Sequence, residues 1–354
     1  MGNTFNRRDF LRVAGGTAAG AALFGAAGCG SSGGSGSGGG GKVTLRLSHQ
    51  WPKPSGGKGD FRALLADQFA DKVSKATDGE VTIRVYPSAS LVKPDQQYKA
   101  LQQGTIDASV FPLDYASGIV PAYDITLMPA IIKNHEEARK WKDAEIGKRI
   151  DDLTQKNGAR ILTWIWNAGA IGVRKGPPVV SPDDVSHGQV ARAAGTRVEQ
   201  MLKRAGYSIT SMSSSEIYSA MQTGVLDVAV TSTGSFRSYR IYEQTSSYTS
   251  PFKGNTFWFM FEPLIIGTDQ LEQLSDDQQK AVIKAGQELQ EFGYTESEAD
   301  DEKTEKAFKD AGNTIAHMDD AAHEKWQQIS KPVWDNFASG VDGGQELIDL
   351  AQKV

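Results

Sequence analysis

Cysteine is almost missing. Among 354 residues only Cys29 occurs, so no internal disulfide forms and no zinc cluster can be assembled from thiolates. Positive charge is not in excess either: 38 Lys and Arg stand against 43 Asp and Glu, and the net charge of −5 argues against nucleic acid as a partner. No GxSxG elbow, HExxH helix or phosphate-binding Gly-rich loop is present. The five histidines, His49, His135, His187, His317 and His323, are too widely spaced to share one helical turn as metal ligands. The expectation is therefore no catalytic residue, no metal and no cofactor. A long hydrophobic run is also lacking, since the uncharged stretch at 13–28 is mostly Ala and Gly and falls short of the roughly 20 apolar residues that span a bilayer.

What is there is a globular composition, 39% hydrophobic and 23% charged, on a chain long enough for two lobes. The N-terminus reads as an address. Basic NRRDFLR at 6–12 fits a twin-arginine export signal, and AAGC at 26–29 fits a lipobox in which Ala26 replaces the usual leucine. Residues 1–29 are thus expected to be a signal ending at Cys29, the lipid anchor that makes the membrane a partner. Residues 30–41, GSSGGSGSGGGG, are expected to form no core and to act as a flexible tether of about 20 Å. The expected location is the periplasm, as a membrane-anchored lipoprotein.

From Lys42 the pattern becomes structural. Val43, Leu45 and Leu47 alternate, predicting a strand over 42–49, and Leu65, Phe69 and Val73 mark an amphipathic helix over 60–79 with Asp60 as its N-cap. VTIRVY at 81–86 returns as a strand, so the lobe is α/β. YKALQQGTIDASV at 98–110 recurs 120 residues later as YSAMQTGVLDVAV at 218–230. Each copy predicts a helix stopped by Gly104 or Gly224 and a short strand opened by Asp107 or Asp227. Ligands of open α/β sheets sit beyond the carboxyl ends of strands, so FPLDY at 111–115 and TSTGSF at 231–236 are expected to face one another across a cleft. Trp164 and Trp166, two apart, are read on one face of a strand as core or as an aromatic pocket wall. Ser275 and Gln278 open a capping box on a helix expected to run to Gly312, about 54 Å long and longer than one lobe, with Gly286 and Gly293 as bending points. A final strand at 313–318 precedes a helix through Trp326 and Trp334 that Pro332 should kink.

SSSEIYSAMQTGVLDVAV at 213–230, YRIYEQTSSY at 239–248, SHQWP, YPSASL, PAYDITLMPAI, SPDDVSHGQVAR and LSDDQQKAVIKAG together resemble the DctP-type solute-binding proteins of TRAP transporters. The resemblance runs from Lys42 to the C-terminus. It implies a two-lobed periplasmic-binding-protein (Venus flytrap) α/β fold with a long helix spanning both lobes. Lobe I would comprise 42–165 and 255–274, lobe II 166–254 and 313–354, and the spanning helix 275–312. It also implies a small organic-acid ligand, no enzymatic turnover, and delivery to TRAP permease membrane subunits.

The family's ligand arginine follows a glycine by four positions, as Arg192 follows Gly188, and a guanidinium matches a carboxylate with two parallel N–H groups. Thr231 stands where many members have asparagine, and 169–172 lacks the second arginine of sialic-acid-type members. Trp166, Phe111, Phe236 and Trp51 are expected near the cleft, suggesting a monocarboxylate with an apolar or aromatic body, while His49 and Asn167 would donate hydrogen bonds. Two alternatives stay open: a binding protein of an ABC importer, and a periplasmic enzyme acting through Asp114, Glu216 or His49 in the same cleft.

Overall fold

The structure, a computed structural model, describes residues 42–354; the signal, Cys29 and the tether lie outside the described residues. The alternation at the start forms β1 (Val43–Ser48), parallel to β2 (Val81–Tyr86). Between them Asp60 caps the helix Phe61–Ala76 by accepting the Arg62 N–H at 3.0 Å. The apolar stripe Leu65, Phe69 and Val73 is fully buried against the sheet, each side chain contributing about 1.5–3 kcal/mol. β3 (Ala108–Val110) extends the sheet in parallel, and β11 (Leu264–Gly267) and β4 (Ala159–Thr163) complete it antiparallel, in the order β2-β1-β3-β11-β4.

A second sheet runs in the order β12-β9-β5-β8-β6-β7. Its strands are β5 (Trp166–Val173), β6 (Val190–Arg192), β7 (Ser208–Ile209), β8 (Val228–Ser232), β9 (Ser247–Ser250) and β12 (Thr314–His317), with β10 (Phe259–Phe261) attached to β5. The expected α/β, two-lobed architecture is what the chain forms.

The sequence echo has a shared job. Asp107 accepts the backbone N–H of Arg46 on β1 at 2.6 Å and donates its own N–H to the Arg46 carbonyl. Asp227 does the same with Val190 on β6, at 3.0 Å. Each aspartate stitches its strand to the parallel neighbour, and Gly104 and Gly224 turn the chain there at φ 66° and 79°.

The chain passes between the sheets at Trp164–Ile165 and again at Glu262–Pro263, and the Glu262 N–H donates to the Ile165 carbonyl at 2.8 Å, so the two crossings run side by side. This corrects two expectations. Trp164 and Trp166 do not share a strand, because β4 ends at Thr163 in one sheet and β5 begins at Trp166 in the other. Residues 259–261, assigned above to lobe I, pair with β5 of the second sheet.

The long helix is two: Asp276–Gln287, opened by the Ser275–Gln278 capping box, and Gln290–Asp310. The first packs on β4 and on the helix Phe61–Ala76, the second on β5, β9 and β12, so the pair reaches from one sheet to the other behind the crossings. The break follows Gly286, where a Cβ would stand 2.6 Å from that of Leu162. Gln290 clamps the crossing, accepting the Trp164 N–H and donating to its carbonyl. The helix Asp320–Gly340 continues through Pro332, and Gly344–Ala351 packs against the helix Glu145–Lys156, so the C-terminal segment touches lobe I as well as lobe II.

Candidate ligand cleft

β8, β6 and β7 are parallel, and their carboxyl ends open on one side of the second sheet. Arg192 is the last residue of β6, so backbone geometry delivers its guanidinium to that edge. The side chain is fully buried. Its Nε donates to the Met212 carbonyl at 2.8 Å, Nη1 to the Val230 carbonyl at 3.1 Å, and Nη2 to the Tyr115 hydroxyl at 3.4 Å. Of five guanidinium N–H groups these use three, leaving one on each terminal nitrogen. Among the described residues no carboxylate lies within ion-pair distance of it. Beside it opens a cavity of about 680 Å³ between Lys93–Asp95, Asp114 and Tyr115 on one side and Ala193–Thr196 and Ser211–Ser213 on the other.

Asp114 lines this cavity from the first half of the chain. It is buried, and neither carboxylate oxygen has a hydrogen-bond partner within the described residues. Burial pushes its carboxyl well above the usual range, the charges of Asp124 and Glu262 push the same way, and Arg192 pulls against them. Gly195 lets the walls meet, since its φ is 85° and a Cβ there would stand 2.7 Å from Leu127 and 3.2 Å from the Asp114 Oδ2.

A second buried arginine lies at the crossings. Arg62 donates to both Asp60 oxygens at 2.8 and 2.7 Å, to Glu262 at 2.6 Å and to Ser232 at 3.0 Å, and it lies over the Trp51 ring at 4.1 Å. Glu262 also accepts from the Asn167 amide. Burial raises the Glu262 carboxyl to about 7 although Arg62 opposes the shift. The Tyr239 hydroxyl donates to the Gln50 carbonyl at 2.9 Å, tying the loop after β1 to the second half of the chain.

The residues expected at the site divide into groups. His49 stacks on Trp51, buried and neutral, its pKa lowered to about 4 by desolvation, with both ring nitrogens unpartnered. Asn167 keeps an unpartnered Oδ1, and its orientation is set because Nδ2 must face the Glu262 carboxylate. Thr231 is buried on β8, next to the Val230 carbonyl that holds Arg192. Trp51 serves the Arg62 network. Three aromatics are not cleft walls. Phe236 packs on Tyr248 and Phe308 in a separate apolar cluster, Trp166 on Trp141 and Phe261, and Phe111 behind Tyr115 in the main core. Arg192 links FPLDY to the strand residue just before TSTGSF, through the Tyr115 hydroxyl and the Val230 carbonyl, while Phe236 turns inward. The acidic and cationic residues Asp60, Arg62 and Glu262 were missed. Their signals were a charge on the apolar stripe of an amphipathic helix, 62-65-69-73, and a lone acid inside the apolar run FWFMFEPLII.

A family model described as bacterial extracellular solute-binding protein, family 7, matches residues 56–340. A solute-binding protein of Albidiferax ferrireducens is 35% identical over 311 residues, 88% of this chain and 91% of its own. Among solved structures, a TRAP periplasmic solute binding protein from Rhodoferax ferrireducens with bound malonate superposes with a TM-score of 0.84 at 34% identity, covering 87% of this chain and 97% of that one. A TRAP periplasmic solute binding protein from Chromohalobacter salexigens with bound D-glucuronate superposes with a TM-score of 0.79 at 25% identity, covering 87% and 99%.

Proposed function

This chain belongs to family 7 of the bacterial extracellular solute-binding proteins, and from that premise we propose that it is the periplasmic receptor of a TRAP-type secondary transporter. It holds one small organic carboxylate between its lobes through Arg192 and hands it to the membrane permease. The observation that carries this reading is a fully buried guanidinium with no carboxylate partner among the described residues and one N–H left on each terminal nitrogen. A buried unpaired cation is costly, and a bidentate ligand carboxylate compensates it. The relatives bound to malonate and to D-glucuronate support a carboxylate.

Contacts from both halves of the chain, Tyr115 and Asp114 from one and Arg192 and Met212 from the other, exist together only when the cleft is closed, so ligand shifts the population toward closure. The side-by-side crossings at Trp164–Ile165 and Glu262–Pro263 support lobes divided near 165 and 262 and hinged there. No bond is made or broken in this cycle. The chain reaches its compartment by the twin-arginine route and is held there by lipid on Cys29, a reading supported by NRRDFLR and AAGC. Fatty-acid labelling that persists in Cys29→Ser would remove the anchor from it.

The test of the receptor is thermal unfolding of the purified protein against small carboxylates and their amides. An acid at 100 times its Kd adds about 2.7 kcal/mol of stability. Stabilisation by an acid and not by its amide, lost in Arg192→Ala, is expected; equal stabilisation by acid and amide would sink the clamp.

A further inference from the structure

We propose that the helix Thr233–Ser238 and the residue after it clasp the loop that follows β1, and that Ser238 and Tyr239 are positioning residues. They set how tightly every ligand is held by stabilising the closed lobes, without touching the ligand. The inference rests on the carboxylate-receptor reading and deepens it.

The loop 49–60 belongs to the lobe of the first sheet and the helix Thr233–Ser238 to that of the second. Hydrogen bonds join them at both ends of the loop. At its start the Tyr239 hydroxyl donates to the Gln50 carbonyl at 2.9 Å; at its end the Ser238 hydroxyl donates to the Asp60 Oδ2 at 2.6 Å and Arg237 to the Gly59 carbonyl at 3.5 Å. Just beyond the loop, Arg62 donates to Ser232 at 3.0 Å. The approach is close enough that a Cβ on Gly234 would stand 2.7 Å from the Arg62 Nη2.

The Ser238 and Tyr239 bonds serve neither lobe alone. Asp60 caps its helix through the Arg62 N–H, and the Arg62 side chain already donates to both of its oxygens, so the Ser238 hydroxyl is an added donor. Gln50 and Tyr239 lie outside both sheets. Hydrogen bonds that exist only with the lobes together lower the free energy of the closed form and leave the open form as it was, and the apparent affinity for any ligand of the closed form rises accordingly.

The clasp is continuous with the arginine site. The helix Thr233–Ser238 follows directly on β8, whose Val230 carbonyl holds Arg192. Its other side is fastened to the helix Gln290–Asp310: the Arg237 Nε donates to Asp300 at 2.9 Å, the Thr233 hydroxyl to Asp301 at 2.8 Å, and the Thr304 hydroxyl to the Thr233 carbonyl at 3.1 Å. A ligand on Arg192 and the clasp therefore pull on the same strand. Neither Ser238 nor Tyr239 lines the cavity beside Arg192, so their effect is blind to which acid is bound.

Isothermal titration and stopped-flow kinetics with malonate, succinate, propionate and D-glucuronate test this in the wild-type protein, Ser238→Ala, Tyr239→Phe and the double variant. The acids that bind should all weaken by the same factor, about threefold in Tyr239→Phe and about tenfold in Ser238→Ala, whose lost partner is charged. The loss should appear as faster dissociation, with the preference for an acid over its amide retained. Thermal unfolding without ligand should match the wild type, because the clasp is already broken in the open form; a merely structural role would lower it and leave affinity alone. Unchanged affinity in the double variant, losses that differ between acids by more than about threefold, or an equal fall in Tm with and without ligand overturns the clasp, while binding that still needs Arg192 keeps the receptor reading. Binding of none of these acids by the wild-type protein, or binding indifferent to Arg192→Ala, overturns both.

Discussion

Arg62 and Arg192 are both fully buried, and they are opposites. Arg62 has two carboxylates, a hydroxyl and an aromatic face around it; its needs are met inside the chain. Arg192 is held by two carbonyls and a hydroxyl, which orient the guanidinium without neutralising it. The difference teaches that burial alone does not give a cation the same surroundings: one has its counter-charge within the chain and the other, on the proposed reading, leaves it to a ligand.

Removing each arginine is the strongest way to break this contrast. Arg62→Ala leaves Asp60 and Glu262 buried without their cation and should cost about 3–5 kcal/mol of stability in urea unfolding. A loss below about 1 kcal/mol would mean that the network is not structural. Arg192→Ala should weaken carboxylate binding by about 2–5 kcal/mol in titration calorimetry, with a far smaller stability loss than Arg62→Ala. Equal stability losses in the two variants would erase the distinction.

A pH experiment sharpens it. Glu262 titrates near 7 in the folded chain against an ordinary value of 4.5. Its folded pKa is raised, so its contribution is fully present below pH 4.5 and is lost as pH rises to about 7. Glu262→Gln does not ionise, so its stability relative to wild type should climb across that window by up to about 3 kcal/mol and then level off. A flat difference between pH 4.5 and 8 would place the charge of Glu262 outside the network's energetics. The smallest effect sets the baseline: Lys72→Ala breaks an exposed pair with Glu288 and should change stability by less than about 1 kcal/mol.

Local patterns carried much of this molecule. The Val43-Leu45-Leu47 alternation, the Asp60 cap, the Ser275 capping box and the helix–Gly–strand echo are all written in neighbouring residues and all form. They were legible because strand period, capping and left-handed glycines depend on a few adjacent side chains. Arg192 was singled out through its spacing from Gly188 and the family resemblance; its place at a strand end and the groups around its guanidinium were not legible.

Where local pattern failed, distant segments made the decision. ILTWIWN reads as one strand, but the chain leaves one sheet after Thr163 and enters the other at Trp166, because Gln290 and Glu262 from far along the chain hold the crossing between them. Phe236 follows a cleft-edge strand, yet Tyr248 and Phe308 draw its ring inward. By itself the sequence determined the α/β class and the two similar helix–strand units, since these follow from periodicity and capping, while Arg192 was singled out only through the family resemblance. Only the tertiary structure decided which buried arginine finds its counter-charge within the chain and that Asp114 finds none. Charge compensation depends on distances of a few ångströms between residues tens to hundreds of positions apart, and no local pattern encodes those distances.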